Sequence, residues 1–222
     1  MKRARCIFAA ALAMLSLYAP VALGGDLAGK VSYAVGSSSV ERVTPTVAVS
    51  QGSFVFEGDT LRTGENAIVQ IEMIDGARLL LLPDSILTLQ DYRRPSRTAD
   101  PIAQSAGDGK VTLRLLRGGF RARSGSIGKS LVKANYQVIA PVATLGLVGT
   151  EYLLRFCQRN CGSDNQTGLY IAVQQGEIWV QNAGGHVHVK AGAHAVVESG
   201  EKKARLESTI PRAIEGVQRF IE

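Results

Sequence analysis

Three histidines lie close together in the sequence and are the residues best suited to metal chemistry. His186 and His188 share one face of a predicted strand, because successive side chains alternate between the two faces. With His194 across the following turn, they could offer three imidazole nitrogens to a metal ion. No carboxylate or cysteine at ligand spacing accompanies them. We therefore interpret the histidines as an exposed polar strand face and predict no metal and no cofactor.

The residue types needed for nucleophilic catalysis are present but not in a useful arrangement. The Gly/Ser-rich turn over residues 124–128 lacks the strand-to-helix context of a nucleophile elbow. The Gly-Lys-Ser of residues 128–130 lacks the earlier glycine of a phosphate-binding loop. The sequence therefore predicts no catalytic residues and a protein that is not an enzyme.

A basic stripe is the best candidate for a binding surface. Arg117, Arg121 and Arg123, with Lys129 and Lys133 beyond them, fall in a stretch without acidic residues. Alternation puts Arg121 and Arg123 on the same strand face. Such a stripe could receive an acidic protein, an anionic glycan or lipid head groups. A solvated strand face without a partner is the other interpretation.

Two cysteines, Cys157 and Cys161, remain after the N-terminal segment discussed below. A close, even-numbered pair in an exported protein predicts a local disulfide. Its loop is small, so the bond would add at most about 2 kcal/mol and would fix a loop rather than hold the fold. A zinc site would need two further ligands at suitable spacing, and the spacing does not match a redox C-x-x-C motif.

These residues must be positioned by short strands, because one apolar-x-apolar-x-x-Gly pattern recurs along the chain. Alternate apolar residues face one side of a strand, and the glycine allows the positive φ of a tight turn or bulge. Serial short hairpins of an all-β protein follow from this pattern. Its five copies end at Gly52, Gly76, Gly118, Gly176 and Gly192.

The copies are unevenly spaced, which excludes a strict repeat but allows either a sandwich or a solenoid-like β stack. Residues 93–110 are polar and rich in Pro, Ser and Gly, and we expect a surface loop there. Apolar residues at helical spacing predict a short amphipathic helix over residues 206–222. The β domain is then expected to span residues 25–205.

Residues 1–24 have the layout of a cleaved secretory signal peptide: a basic start, an apolar run and small residues before Gly25. Removing its three positive charges lowers the formal charge from +6 to +3, which argues against nucleic acid as a partner. No later segment is apolar enough to cross a bilayer. We expect a periplasmic protein without a transmembrane segment in its mature form.

Several motifs, in order, resemble the FecR domain family. The segment from Pro141 through Gly146, Gly149 and Thr150 to Tyr152 resembles the family's Pro-x-Ala…Gly-x-x-Gly-Thr-x-Phe/Tyr core. The Gly-Asp-x-Leu-x-Thr-Gly of residues 58–64 and the Asp-Gly…Pro-x-Ser of residues 75–85 resemble its turns. The closing Gly-Glu-x and Ala-Gly-x turns near residues 176–178 and 191–192 agree as well. Val148 departs from the arginine that the family commonly has before Gly-Thr.

The resemblance implies a β module that binds other proteins. The best-known family members receive a signal from an outer-membrane receptor and control a sigma factor through a cytoplasmic segment and a transmembrane helix. We expect neither of these segments in the mature chain. The resemblance thus implies a non-catalytic periplasmic binding or signalling accessory module with an envelope protein partner. The alternative is an envelope scaffold that binds glycan or peptidoglycan.

The predicted disulfide can be tested chemically. Thiol labelling of the denatured, unreduced protein should modify neither Cys157 nor Cys161, whereas prior reduction should expose both. Reduction should lower the free energy of unfolding by no more than about 2 kcal/mol. Two reactive thiols before reduction, or a bond to a second chain, would contradict the prediction.

Overall fold

The computed structural model describes residues 25–42, 46–94, 109–129, 135–158 and 167–219. Within these ranges most residues are in strands, which confirms the predicted all-β class with a short C-terminal helix. The predicted signal peptide, Cys161 and most of the expected surface loop lie outside the described residues. The strands are β1 (Leu27–Val35), β2 (Ser38–Glu41), β3 (Thr46–Ala48), β4 (Phe54–Phe56), β5 (Thr60–Thr63), β6 (Ile68–Met73), β7 (Arg78–Leu81), β8 (Ile86–Arg93), β9 (Lys110–Arg123), β10 (Tyr136–Ala140), β11 (Ala143–Cys157), β12 (Gly168–Asn182), β13 (Gly185–Lys190), β14 (His194–Val197) and β15 (Arg205–Glu207).

The strands form one continuous sheet that folds into two layers. The first layer runs β4-β1-β6-β7-β9-β11-β12-β14-β15, and the second runs β3-β2-β5-β8-β9-β10-β11-β12-β13. Neighbours are antiparallel except β9 and β10, which are parallel. Residues of both layers meet in one hydrophobic core. The two layers share β9, β11 and β12, so the hairpins are not separate units.

Three long strands, β9, β11 and β12, belong to both layers and change partners at a bend. The first half of β9 pairs with β8 and β10, and its second half pairs with β7 and β11. In each strand the buried positions switch from odd to even numbers across the bend: Leu115 to Phe120, Leu147 to Tyr152, and Val173 to Ile178. An extra residue at the bend therefore keeps the inward face pointing at the core after the strand has changed layer.

A glycine with positive φ lies at each of these bends, at Gly118, Gly149 and Gly176. The five glycines of the recurring sequence pattern all have positive φ, as predicted. Two of them, Gly118 and Gly176, do not end a strand, however. They bend a strand that continues into the other layer, so the prediction of a new hairpin was wrong at these positions.

Buried hydroxyl groups bind the backbone at the bends. At Gly118, Ser85 Oγ donates to the Gly119 carbonyl oxygen and accepts from the Gly119 N–H, both at 2.8 Å. Where β11 and β12 bend together, the Thr150 N–H donates to Ser124 Oγ at 2.8 Å, and Thr150 Oγ1 donates to the Glu177 carbonyl oxygen at 3.2 Å. These side chains pair backbone groups that a bulge removes from the regular ladder.

Three tyrosines lie deep in the core near the second bend. Tyr92 donates to Asp75 Oδ1 at 2.6 Å, and the hydroxyls of Tyr136 and Tyr152 are 2.9 Å apart. Burial raises the pKa of all three phenols well above the usual value, and the Asp75 carboxylate raises the pKa of Tyr92 further. All three therefore stay neutral and serve as hydrogen-bonding core residues.

The helix α1 spans Arg212–Arg219 and covers part of the outer face of the first layer. Its Ala213 and Ile214 join a second apolar cluster with Leu153, Ala172 and other residues of β11, β12 and β14. The helix begins later than predicted, because Arg205–Glu207 pair with β14 as β15 and the Pro211 carbonyl accepts the first helical hydrogen bonds. No helix in the described part of the chain has the length and apolar character needed to span a bilayer.

The bend at Gly176 should tolerate a side chain poorly. A Cβ at this position would lie 2.7 Å from the Gly149 carbonyl oxygen, at a φ of +79°. We expect Gly176→Ala to lower the free energy of unfolding by at least about 2 kcal/mol. Gly192→Ala is a matched control, since its φ is +80° but its Cβ would have no atom within 4 Å. The control should cost only about 1 kcal/mol. If urea unfolding shows that both variants lose the same free energy of unfolding, the steric argument is refuted.

The buried tyrosines predict how the fold responds to alkali. Because their folded pKa values lie above the unfolded value of about 10, their contribution to stability is complete below that pH and is lost as the pH rises beyond it. Ionisation of Tyr92, Tyr136 and Tyr152 should therefore coincide with unfolding. Parallel titrations of tyrosinate absorbance and circular dichroism would show this. Full tyrosine ionisation with an intact β spectrum would contradict it.

Candidate functional site

The outer face of the first layer carries a row of charged and polar side chains across seven strands. Strand register puts its members directly opposite one another from β4 to β12. We call this the charged row: Phe54, Lys30, Glu72, Arg78, Arg123, Glu151 and Gln175. Signs alternate along it except at Arg78 and Arg123, where two cations are direct neighbours.

A second row lies beside the charged row on the same face. This mixed row consists of Tyr33, Gln70, Leu80, Arg121, Leu153, Ala172, His194 and Glu207. The helix α1 packs on its Leu153 and Ala172. The part from Tyr33 to Arg121 lies outside that apolar cluster, so the face is divided into a covered half and an open half.

The structure separates the three arginines of the predicted basic stripe. Arg121 and Arg123 lie on the outer face of the first layer, as their alternation indicated. Arg117 precedes the bend in β9, lies opposite Ile86 in the second layer, and is 3.8 Å from Asp84. The side chain of Arg121 is only 19% exposed and donates to Glu151 Oε1 at 2.5 Å and to Gln174 Oε1 at 2.6 Å. A continuous stripe is therefore absent from the described residues.

Arg123 lines a cleft of about 450 Å³ at the bend of β11 and β12. Arg78 and Lys129 bring two more cations to its wall, and Gly149 and Thr150 form part of its floor. A shallower groove of about 220 Å³ adjoins it, shares Arg78 and Arg123, and extends over Leu80 on the outer face. The cleft and groove together form a basic trough open to solvent.

Asp75 is the carboxylate that lines the cleft, but its oxygens already bind the protein. Oδ1 accepts from the Tyr92 hydroxyl and from the Ala77 N–H at 3.1 Å, and Oδ2 accepts from the Ile127 N–H at 3.3 Å. The Ser126 N–H also donates to the Asp75 carbonyl oxygen at 3.0 Å. Asp75 thus holds the loop that follows β9, and among the described residues it makes no direct ion pair with an arginine.

The residues of the resembling motif build the bend rather than a reactive centre. Pro141 lies in the turn between β10 and β11, and Gly146 lies between Gln137 and Trp179 in neighbouring strands. Gly149 and Thr150 form the bend of β11 described above. The motif therefore sets the shape of the cleft floor.

The three histidines are divided between the layers. His186 and His188 lie on β13, with ring centroids 6.4 Å apart, and His188 packs on Trp179 at 3.5 Å. His194 lies on β14, which pairs with the other half of β12. Burial lowers the pKa of His194. Among the described residues no group of three potential ligands is close enough to hold a metal ion.

Cys157 is fully buried at the end of β11 and belongs to the apolar cluster beneath α1. Because Cys161 lies outside the described residues, the pairing of the two remains a prediction.

Sequence reasoning missed Arg78, Tyr33 and Phe54 as surface residues of interest. Arg78 follows an Asp-Gly turn and was interpreted only as part of a hairpin motif. Tyr33 and Phe54, each 52% exposed, look like ordinary strand residues in the sequence. Only the register between strands places these residues on the same face as Arg123.

Two solved crystal structures are similar to this chain, both of a presumed anti-sigma factor from Parabacteroides distasonis ATCC 8503. Each is 10% identical to this chain, and the TM-scores are 0.50 and 0.49. The alignments cover 72% of this chain and 63% and 64% of those chains, so this chain spans less than two thirds of their length. At this identity the likeness concerns the fold. No curated protein matches the sequence.

The model of the family described as "FecR protein" matches residues 59–179, more than half of the chain. The matched segment begins at buried Asp59, contains all three bends and ends at Trp179 in β12. It thus covers the shared strands on which the fold depends, and the chain belongs to the FecR protein family.

Proposed function

We propose that this protein is a non-catalytic regulatory binding module of the periplasm, which recognises an envelope protein partner through the open half of its outer face. Membership of the FecR family supports a regulatory or signalling role. We choose this surface because α1 divides the outer face into a covered half and an open half. The helix covers one half with apolar contacts, while the other half keeps exposed aromatic and charged side chains.

The open half has the composition of a protein interface. Tyr33 and Phe54 are each 52% exposed, and Val35 is 44% exposed. Aromatic residues and arginines are enriched at the centres of protein interfaces. Tyr33 belongs to the mixed row with Arg121, and Phe54 belongs to the charged row with Arg123, so apolar and basic groups share one surface.

A strand edge next to this surface supports the same role. Among the described residues, β4 pairs only with Leu27–Lys30 of β1. The next residue, Val31, makes backbone hydrogen bonds to Gly52 and Ser53, which precede β4, and the pairing goes no further along β1. The last residues of β1 therefore have β6 on one side and no described strand on the other. An extended partner segment could add main-chain hydrogen bonds there, as in β-strand addition.

The buried polar side chains support binding rather than catalysis, because the fold itself uses them. Asp59 is fully buried, accepts from Arg42 Nε and Nη2 at 2.8 Å each, and accepts from the Phe56 N–H at 2.9 Å. Ser85, Ser124 and Thr150 bind backbone at the bends. Each of these groups stabilises a turn or bend, which leaves none of them available as a nucleophile or base.

The surface can be tested with the protein purified from its native host. The variant Tyr33→Ser/Phe54→Ser should lose at least about 90% of its capture of envelope proteins, because truncating aromatic anchors commonly costs 2 kcal/mol or more. Leu206→Ser is the matched control. Leu206 is 54% exposed on β15, at the opposite edge of the same layer. Equal capture by both variants would contradict the proposed surface, and substrate turnover that a single polar substitution abolishes without unfolding would refute the non-catalytic role.

A second candidate function is that of an envelope scaffold that binds glycan or peptidoglycan. It is favoured by Trp179, which packs on His188 on the outer face of the second layer, next to the edge strand β13. Co-sedimentation with purified cell-wall sacculi distinguishes the two functions. If the scaffold function holds, Trp179→Ala should reduce sedimentation while Tyr33→Ser/Phe54→Ser should not.

A further inference from the structure

We propose that Arg78, Arg123 and Lys129 form an oxyanion site in the cleft, and that this site receives a carboxylate from an acidic segment of the partner. The inference rests on the proposed function and deepens it, since it names the chemistry that the partner must present. It starts from the one place where the charged row does not alternate in sign.

Arg78 and Arg123 lie directly opposite each other on β7 and β9. Like charges at directly opposite positions of neighbouring strands destabilise a sheet. Every other charged neighbour pair in the row combines a cation with a carboxylate, such as Lys30 with Glu72 or Arg123 with Glu151. The repulsion between the two arginines therefore destabilises the fold locally. An anion bound between the two guanidinium groups would remove this repulsion.

The carboxylates nearby do not neutralise this pair. Glu72 is 4.0 Å from Arg78, at the outer limit for an ion pair, and both side chains are more than half exposed. Glu151, which is opposite Arg123, accepts a 2.5 Å hydrogen bond from Arg121. The Asp75 carboxylate binds Tyr92 and two backbone N–H groups. Within the described residues, Arg123 makes no ion pair with a carboxylate closer than 4 Å.

The cleft has room for an oxyanion beside these cations. Its volume of about 450 Å³ far exceeds that of a carboxylate group. Glycines line part of the wall, and a Cβ at Gly76 or Gly149 would meet no atom within 4 Å, so these walls are open. Guanidinium groups bind carboxylates and phosphates with two parallel hydrogen bonds. Lys129 adds a third positive charge from the loop after β9.

The adjoining groove favours a peptide over a small anion. It shares Arg78 and Arg123 with the cleft and continues over the side chain of Leu80 to Gln70, and Arg121 and Glu151 also line it. A bound segment could place an acidic side chain in the cleft and an apolar side chain in the groove. An inorganic phosphate ion would use only the first of these features.

Binding of defined probes tests the site. The probes are a glutamate-rich peptide that includes one leucine, the same peptide with glutamine for glutamate, and inorganic phosphate. We expect the purified protein to bind the acidic peptide, to bind the glutamine peptide at least about tenfold more weakly, and to lose affinity as salt increases. Arg78→Gln and Arg123→Gln should each weaken the acidic peptide about tenfold.

Arg114→Gln is the matched control, because Arg114 lies on the same strand β9 but before the bend, in the second layer. It removes the same charge and should leave peptide affinity within about twofold. In the unbound protein at low salt, Arg123→Gln should leave the melting temperature unchanged or raise it, since it removes the like-charge pair. A lowered melting temperature would indicate a purely structural arginine and would overturn the proposal.

Other outcomes separate this inference from the proposed function. Equal affinity for both peptides, or phosphate binding as tight as that of the acidic peptide, would refute the acidic-segment site. Partner capture that is lost in Tyr33→Ser/Phe54→Ser but unchanged in Arg78→Gln and Arg123→Gln would also refute it, while the proposed function would stand. Peptide binding at the cleft without any partner capture would uphold the oxyanion site and refute the proposed function.

Discussion

The fold depends on three strands that each serve two layers, and therefore on the bends that let them do so. A strand that leaves one layer for another needs an extra residue to keep its apolar side inward, and the backbone groups beside that residue lose their ladder partners. Glycines with positive φ accommodate the extra residue at Gly118, Gly149 and Gly176. The hydroxyls of Ser85, Ser124 and Thr150 form hydrogen bonds with backbone groups at the bends. Because β9, β11 and β12 are central in both layers, the two layers share one core and cannot separate without breaking it.

The same bends create the proposed binding surface. Where β11 and β12 turn together, the sheet leaves a cleft, and the ends of β7 and β9 bring arginines to its wall. The register of the first layer then continues outward from the cleft in two rows, one of which ends at Tyr33 and the other at Phe54. Architecture and the proposed recognition thus use different residues: the hydroxyls at the bends bind backbone inside the fold, and the charged residues lie on the outer face.

The sequence predicted the class of the fold because alternation and glycine placement are local signals. The pattern Ile171-x-Val173-x-x-Gly176 located a strand and a positive φ. It could not reveal that the strand continues, since a glycine at a bend and a glycine at a reversal follow the same alternating run. For the same reason the sequence did not show that the bend at Gly118 moves Arg117 to the other layer, away from Arg121 and Arg123. The pairing of Arg78 with Arg123 depends on register between residues far apart in the chain, which no local pattern contains.

The position of α1 affects the order in which the fold can be completed. The helix follows every strand that it covers, so β11, β12 and β14 can form before it packs on them. Until then Leu153, Ala172 and Val196 have no cover on their outer side, although the core on their inner side can already form. A chain in this state presents an apolar sheet surface of the kind that promotes aggregation. The helix therefore completes the cover of a β sheet whose inner side can already be packed.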